Sequence, residues 1–159
     1  MRGGTGAVNG LLLAGQPRLG QQGQPGAGNA FRWERVCVLE YPPVPEAVPS
    51  ARLRARHAMR GGLGEVADDG LVALSELLTN AVTASARMPS LPAVRVRLLA
   101  DPGQLVIEVF DRAGGVPKIK SPGWDEDGGR GLVTVAGLAR RWDWTKHEDG
   151  KIVWCDFWL

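Results

Sequence analysis

Two periodicities alternate along this chain and together predict an α+β domain. Apolar residues recur at helical spacing over 66–87 and again from Leu132 to Ala139, whereas 94–110 and 141–158 carry strand-like runs broken by tight turns. Composition agrees with one domain: of 159 residues, 44% are hydrophobic and 23% charged, enough apolar material for a sizeable core.

Residues 1–30 are rich in Gly, Gln and Pro and carry no apolar period, so a flexible tail is expected there; such a segment buries too little apolar surface to offset its ordering entropy. Leu11-Leu12-Leu13-Ala14-Gly15 follows Arg2 but is shorter than a usual signal-peptide core. No apolar run approaches the roughly 20 residues of a membrane span. The folded domain is expected over 31–159. Phe31 to Tyr41 alternates as a strand, with Trp33, Val36, Val38 and Leu39 available for packing, and Pro42-Pro43 stops it. Pro45-Glu46 to about Met59 reads as a helix, with Pro49 near its first turn and Gly61-Gly62 and Gly64 breaking it. A second helix runs from Val66 to about Arg87, closed by Pro89 and Pro92.

A hairpin follows. Val94, Val96 and Leu98 alternate with Arg95 and Arg97, Asp101-Pro102-Gly103 reverses the chain, and Leu105, Ile107 and Val109 alternate with Val106, Glu108 and Phe110. After a polar stretch and a third helix come strands at Arg141 to about Lys146 and Lys151 to Trp158, joined by His147-Glu148-Asp149-Gly150. Trp142 and Trp144 share one face, and Val153, Cys155, Phe157 and Leu159 another; the tryptophans read as packing residues.

A net charge of +2 is too small for the concentrated basic footprint of a nucleic-acid binder. Arg52, Arg56 and Arg60, with Arg54 and His57 nearby, fall on one face of the first helix and suit either solvent or an acidic protein partner. Cys37 and Cys155 lie in apolar runs, far from metal-ligand spacing, and read as buried reduced thiols of a cytosolic protein. His57 and His147 are not placed like triad members or metal ligands.

Three stretches carry chemistry. In Ser75-Glu76-Leu77-Leu78-Thr79-Asn80-Ala81-Val82, the residues Leu71, Leu74, Leu78, Ala81 and Val82 mark one helix face, and Glu76 and Asn80 share the other. A carboxylate there can take a proton from a hydroxyl, and an amide oxygen one turn on can hold a hard cation carrying phosphates. The same pair also suits a plain solvated face. Period two carries Asp111 to the side of Leu105, Ile107 and Val109, where a carboxylate must be hydrogen-bonded by a backbone cap or a ligand. A turn-forming Asp at a strand end fits as well. Last, a polar stretch of about fifteen residues, long for a structureless loop and of lid-like length, ends in Gly128-Gly129-Arg130-Gly131 just before the helix of Leu132, Val135, Leu138 and Ala139. Closely spaced glycines at a helix start let N–H groups approach an anion, although such starts also occur without one. The pattern is neither the GxGxxG of a dinucleotide fold nor a GxxxxGK[ST] loop.

In this order, Glu76-x-x-x-Asn80, then Asp111 with glycine following, then Gly129-Arg130-Gly131-Leu132 resemble the boxes of GHKL ATPases and kinases. Ser75 to Val82 and Asp127 to Trp142, with the closing Gly150-Lys151-Ile152-Val153-Trp154, are similar to the bacterial anti-sigma-factor serine/threonine kinase branch, which includes many short ATP-binding regulators of actinobacteria. The resemblance spans 31–159. It implies a two-layer α/β sandwich, with helices on one face of a mixed, mostly antiparallel sheet and ATP held between helices and a mobile lid. It further implies that Asn80 binds the magnesium bridging the phosphates, that Glu76 is the base activating the attacking hydroxyl, and that Asp111 accepts from the adenine amino group. Gly115 and Gly128, Gly129, Arg130, Gly131 and Leu132 would line adenine and phosphates.

The implied activity is Mg-ATP phosphorylation of a serine or threonine on a small antagonist protein of the anti-anti-sigma type, with a sigma factor as further partner. Homodimers are common among such regulators, which act in the cytoplasm without direct contact to nucleic acid or membrane. Departures from the pattern are Arg112-Ala113-Gly114-Gly115 as a loose glycine box, Thr83-Ala84-Ser85 where a basic residue or His is frequent, Ile152 where a Thr supports the adenine site, and Asp143 where Gly is usual. They keep a second expectation open: a non-catalytic module that sequesters its partner and uses ATP structurally or not at all. A self-contained ATPase like the larger GHKL machines would carry a transducer domain after the ATP site, which a chain ending at Leu159 is expected to lack.

Overall fold

The computed structural model describes residues 34–59, 66–118 and 130–159. Their elements run β1 (Glu34–Tyr41), α1 (Ala47–Ala58), α2 (Val66–Ser85), β2 (Val94–Asp101), β3 (Gln104–Asp111), α3 (Gly131–Leu138), β4 (Arg141–His147) and β5 (Gly150–Trp158). Gly128, Gly129, Trp33 and Arg60, named above, and the stretch 119–129 lie outside the described residues.

The two hairpins form where the turn chemistry puts them. Asp101 Oδ1 accepts the Gly103 N–H at 2.8 Å, closing the β2–β3 reversal, and Glu148-Asp149 joins β4 to β5. The five strands lie in the order β1-β2-β3-β5-β4, and each of the four pairings is antiparallel, so the described sheet has no parallel member. β3 is its centre, flanked by β2 and β5, and α2 packs against all three.

Helix faces follow from spacing. Ala47, Ala51 and Ala55, four residues apart, are all buried and give α1 a flat stripe for close packing on α2 and β1. Along α2, Leu71, Leu74, Leu77, Leu78, Ala81 and Val82 are buried, while Asp68 and Asp69 in the first turn oppose its positive dipole end. The core between the layers joins these residues to Val96, Leu98, Leu105, Ile107, Val109, Val153, Cys155 and Phe157. Trp142 and Trp144 pack against it partly buried, as their spacing suggests, while Leu159 ends 41% exposed beyond β5.

The other sheet face is buried too. Leu99, Val106, Phe110, Ile152 and Trp154 are each less than a tenth exposed yet lie outside the core that the helices share, with Phe110 and Ile152 in a cluster of their own. The same face buries Arg97 and Glu108, whose Nε and Oε2 lie 3.4 Å apart, and Asp156, which accepts from Gln104 at 2.7 Å and from Arg140 and Arg141. The Arg140 guanidinium also lies 3.8 Å over the Trp158 ring. In β1 the register shifts between Arg35 and Cys37, and Cys37, Leu39 and Tyr41 turn to the core while Val38 is 43% exposed, so Val38 is not the packing residue its alternation suggests. Cys37 and Cys155 are free thiols; Cys155 is fully buried and Cys37 only half-buried. No described helix is long and apolar enough to cross a membrane.

Candidate functional site

Two small clusters hold the described sequence-identified residues. The first lies where α3 meets α2. The Ser75 hydroxyl donates to the Leu71 carbonyl and the Thr79 hydroxyl to the Ser75 carbonyl, each at 2.7 Å, so both hydroxyls are committed to the α2 backbone. Half-buried Glu76 and exposed Asn80 make no hydrogen bond or ion pair among the described residues. Gly131, the first residue of α3, sits against both: a Cβ there would lie 2.7 Å from Glu76 Oε2 and 3.4 Å from Asn80 Nδ2. The orphan N–H groups and positive dipole end of α3 thus start beside the Glu76 carboxylate.

Arg130 caps α3 through its carbonyl, which accepts the Thr134 N–H at 2.9 Å and hydroxyl at 3.2 Å, and its side chain is exposed. Leu132, 7% exposed, packs in the core with Val135 and anchors the helix.

The second cluster is built on Asp111, 1% exposed at the end of β3. Its Oδ1 accepts the Ala113 N–H at 2.9 Å and the Lys151 ammonium at 2.7 Å, and Lys151 Nζ also donates to the Ala113 carbonyl at 2.7 Å. Burial pushes the Asp111 carboxyl up from its ordinary range, and Lys151, with the Ala113 hydrogen bond, draws it back down. Either a backbone cap or a ligand was required at this carboxylate; the structure supplies the cap and adds a cation. Gly150 lies so close to the exit of β3 that a Cβ would meet the Asp111 carbonyl oxygen at 2.1 Å and Arg112 Cα at 2.8 Å. Three residues beyond Ala113's neighbour Arg112, exposed Gly115 takes φ 95°, a left-handed conformation natural to glycine.

The register identifies the partner of Asp111 on β5. Ile152 pairs with Phe110 and buries itself with it on the far face, whereas Lys151 pairs with Asp111 and shares its face. The side chain supporting Asp111 is therefore Lys151, not Ile152. Linear motif matching passed over Lys151; the available signal was period two, which puts it opposite Asp111 once β3 and β5 are neighbours. His147 likewise has a packing role, its ring edge-on to Phe110 at 5.2 Å.

Among the described residues no three His, Cys, Asp or Glu side chains converge as a metal cage. The uncommitted Asn80 amide instead suits a magnesium ion that draws most of its ligands from water and phosphate oxygens, with the Glu76 carboxylate one helical turn away.

The family model for the histidine kinase-like ATPase domain matches residues 41–157, which takes in both clusters. Comparison with curated proteins finds no match.

Proposed function

The chain belongs to the histidine kinase-like ATPase domain family, whose membership implies ATP binding, and on that premise we propose that it is a cytoplasmic regulator that phosphorylates a serine or threonine of a small antagonist protein, with a sigma factor as the partner so controlled. The convergence of Glu76 and Asn80 on Gly131 at the start of α3 carries the reading. Asp111 orients the adenine through its amino group. The N–H groups opening α3 receive phosphate oxygens, and Asn80 lends its amide oxygen to the magnesium, which supplies charge neutralisation when bound. Glu76 accepts the proton of the attacking hydroxyl. Phosphoryl transfer asks chiefly for position and charge, so this small set suffices.

The test is transfer of labelled γ-phosphate to anti-anti-sigma-type proteins encoded in the same genome. Glu76→Ala abolishes transfer and leaves ATP affinity largely intact. Wild-type protein that fails to bind Mg-ATP by calorimetry overturns the reading.

One observation favours a second reading, partner sequestration with ATP as a structural ligand or absent: the Asp111 carboxylate is already engaged by Lys151. Tight partner binding without ATP, unchanged in Asn80→Ala, selects it over the kinase.

A further inference from the structure

The Asp111–Lys151 pair has chemistry left over. Oδ1 of Asp111 is filled by Ala113 and Lys151, whereas Oδ2 has no donor among the described residues. Lys151 Nζ spends two of its three N–H groups, on Asp111 and on the Ala113 carbonyl. Both bonds are short, and the ammonium is held between them on a side chain only 10% exposed. An acceptor and a donor thus stand side by side at the end of β3. The six-membered edge of adenine presents the complement, an N6 amino donor next to the N1 acceptor.

We propose that Lys151 is a base-reading residue: it turns Asp111 Oδ1 inward, leaves Oδ2 for the adenine amino group, and donates its remaining N–H to adenine N1. The proposal rests on the ATP reading above and adds a specificity determinant to it. It also gives the buried cation a purpose that stability alone does not require, since a buried ion pair can be replaced by apolar packing at little cost. Guanine offers an oxygen acceptor at position 6 and a donor at N1, the reverse order, and is disfavoured.

Calorimetry separates the outcomes. Wild-type protein is titrated with the magnesium complexes of ATP, GTP and 1-deaza-ATP, in which N1 is replaced by C–H. A hydrogen bond from a charged donor predicts that 1-deaza-ATP binds about tenfold more weakly than ATP. Lys151→Met then binds ATP and 1-deaza-ATP equally, both no more tightly than wild type binds 1-deaza-ATP. Equal affinity of wild type for ATP and 1-deaza-ATP, or for ATP and GTP, overturns the role of Lys151 and leaves the ATP site standing. Binding of none of the three overturns the ATP reading with it. The wild-type arm needs no variant, so a Lys151→Met protein that fails to fold leaves the test decisive.

Discussion

A single methyl group separates the role of Glu76 from the stability of α3. In Gly131→Ala the new Cβ falls 2.7 Å from Glu76 Oε2, the far end of a flexible side chain, so the carboxylate moves and the backbone does not. Alanine is the better helix former by up to about 1 kcal/mol, which offsets the crowding. The expected outcome is an unfolding free energy within about 1 kcal/mol of wild type together with a clear loss of phosphoryl transfer. Urea melts and the transfer assay check the pair; full transfer in a folded Gly131→Ala protein removes Glu76 from the chemistry. Glu76 and Asn80 were legible because helical spacing alone puts residues four apart on one face. Their neighbour Gly131 was legible only as part of a glycine run, since nothing local says which helix face it meets. Lys151 was not legible at all from its own surroundings: its meaning comes from a strand partner forty residues away.

The elements show the same division. α1, α2 and the two hairpins lie close to where apolar period and turn residues put them, because both signals are local. The face of a strand is harder. In β1 both parities carry apolar residues, and the bulge between Arg35 and Cys37 decides that Leu39 and not Val38 enters the core. In β2 and β3, Arg97 and Glu108 alternate with apolar neighbours as surface residues would, yet both are buried, and the clue was the unbroken Leu105-Val106-Ile107 and Ile152-Val153-Trp154-Cys155 runs. The start of β5 carries the sharpest prediction for an element. Gly150→Ala sets a Cβ against the backbone of Asp111 and Arg112, which cannot swing aside as Glu76 does. β5 must lift from β3 at that end, at a cost of about 3 kcal/mol, and the Lys151 to Asp111 contact opens with it. The variant is expected to unfold at lower denaturant and to lose ATP affinity together; a wild-type melt contradicts the close approach.

Protons and ATP act on the folded protein in opposite senses. Burial pushes the carboxyls of Glu108 and Asp111 up, against the pull of Arg97 and Lys151. Free carboxyls titrate near about 4, so between there and the raised values the folded chain binds more protons than the unfolded one. The stability these groups contribute is present in full below about 4 and is lost as pH rises through the raised values. Taken as the difference in unfolding free energy between wild type and Glu108→Gln, the Glu108 share falls with rising pH; a difference that grows has the wrong sign for a buried carboxyl. At Asp111 the ligand reverses the trend, because an adenine amino group needs the ionised carboxylate. The increment from Mg-ATP therefore strengthens as pH rises through the raised value. At a hundredfold excess over Kd that increment is about 2.7 kcal/mol, on the order of 10 °C in Tm for a domain of this size. Glu108 lies on the far sheet face, paired with Trp154, so Glu108→Gln keeps the ATP-dependent rise whereas Asp111→Ala loses it. A rise that survives Asp111→Ala places the nucleotide elsewhere on the molecule, and a rise that strengthens on acidification rules out the ionised Asp111 as its acceptor.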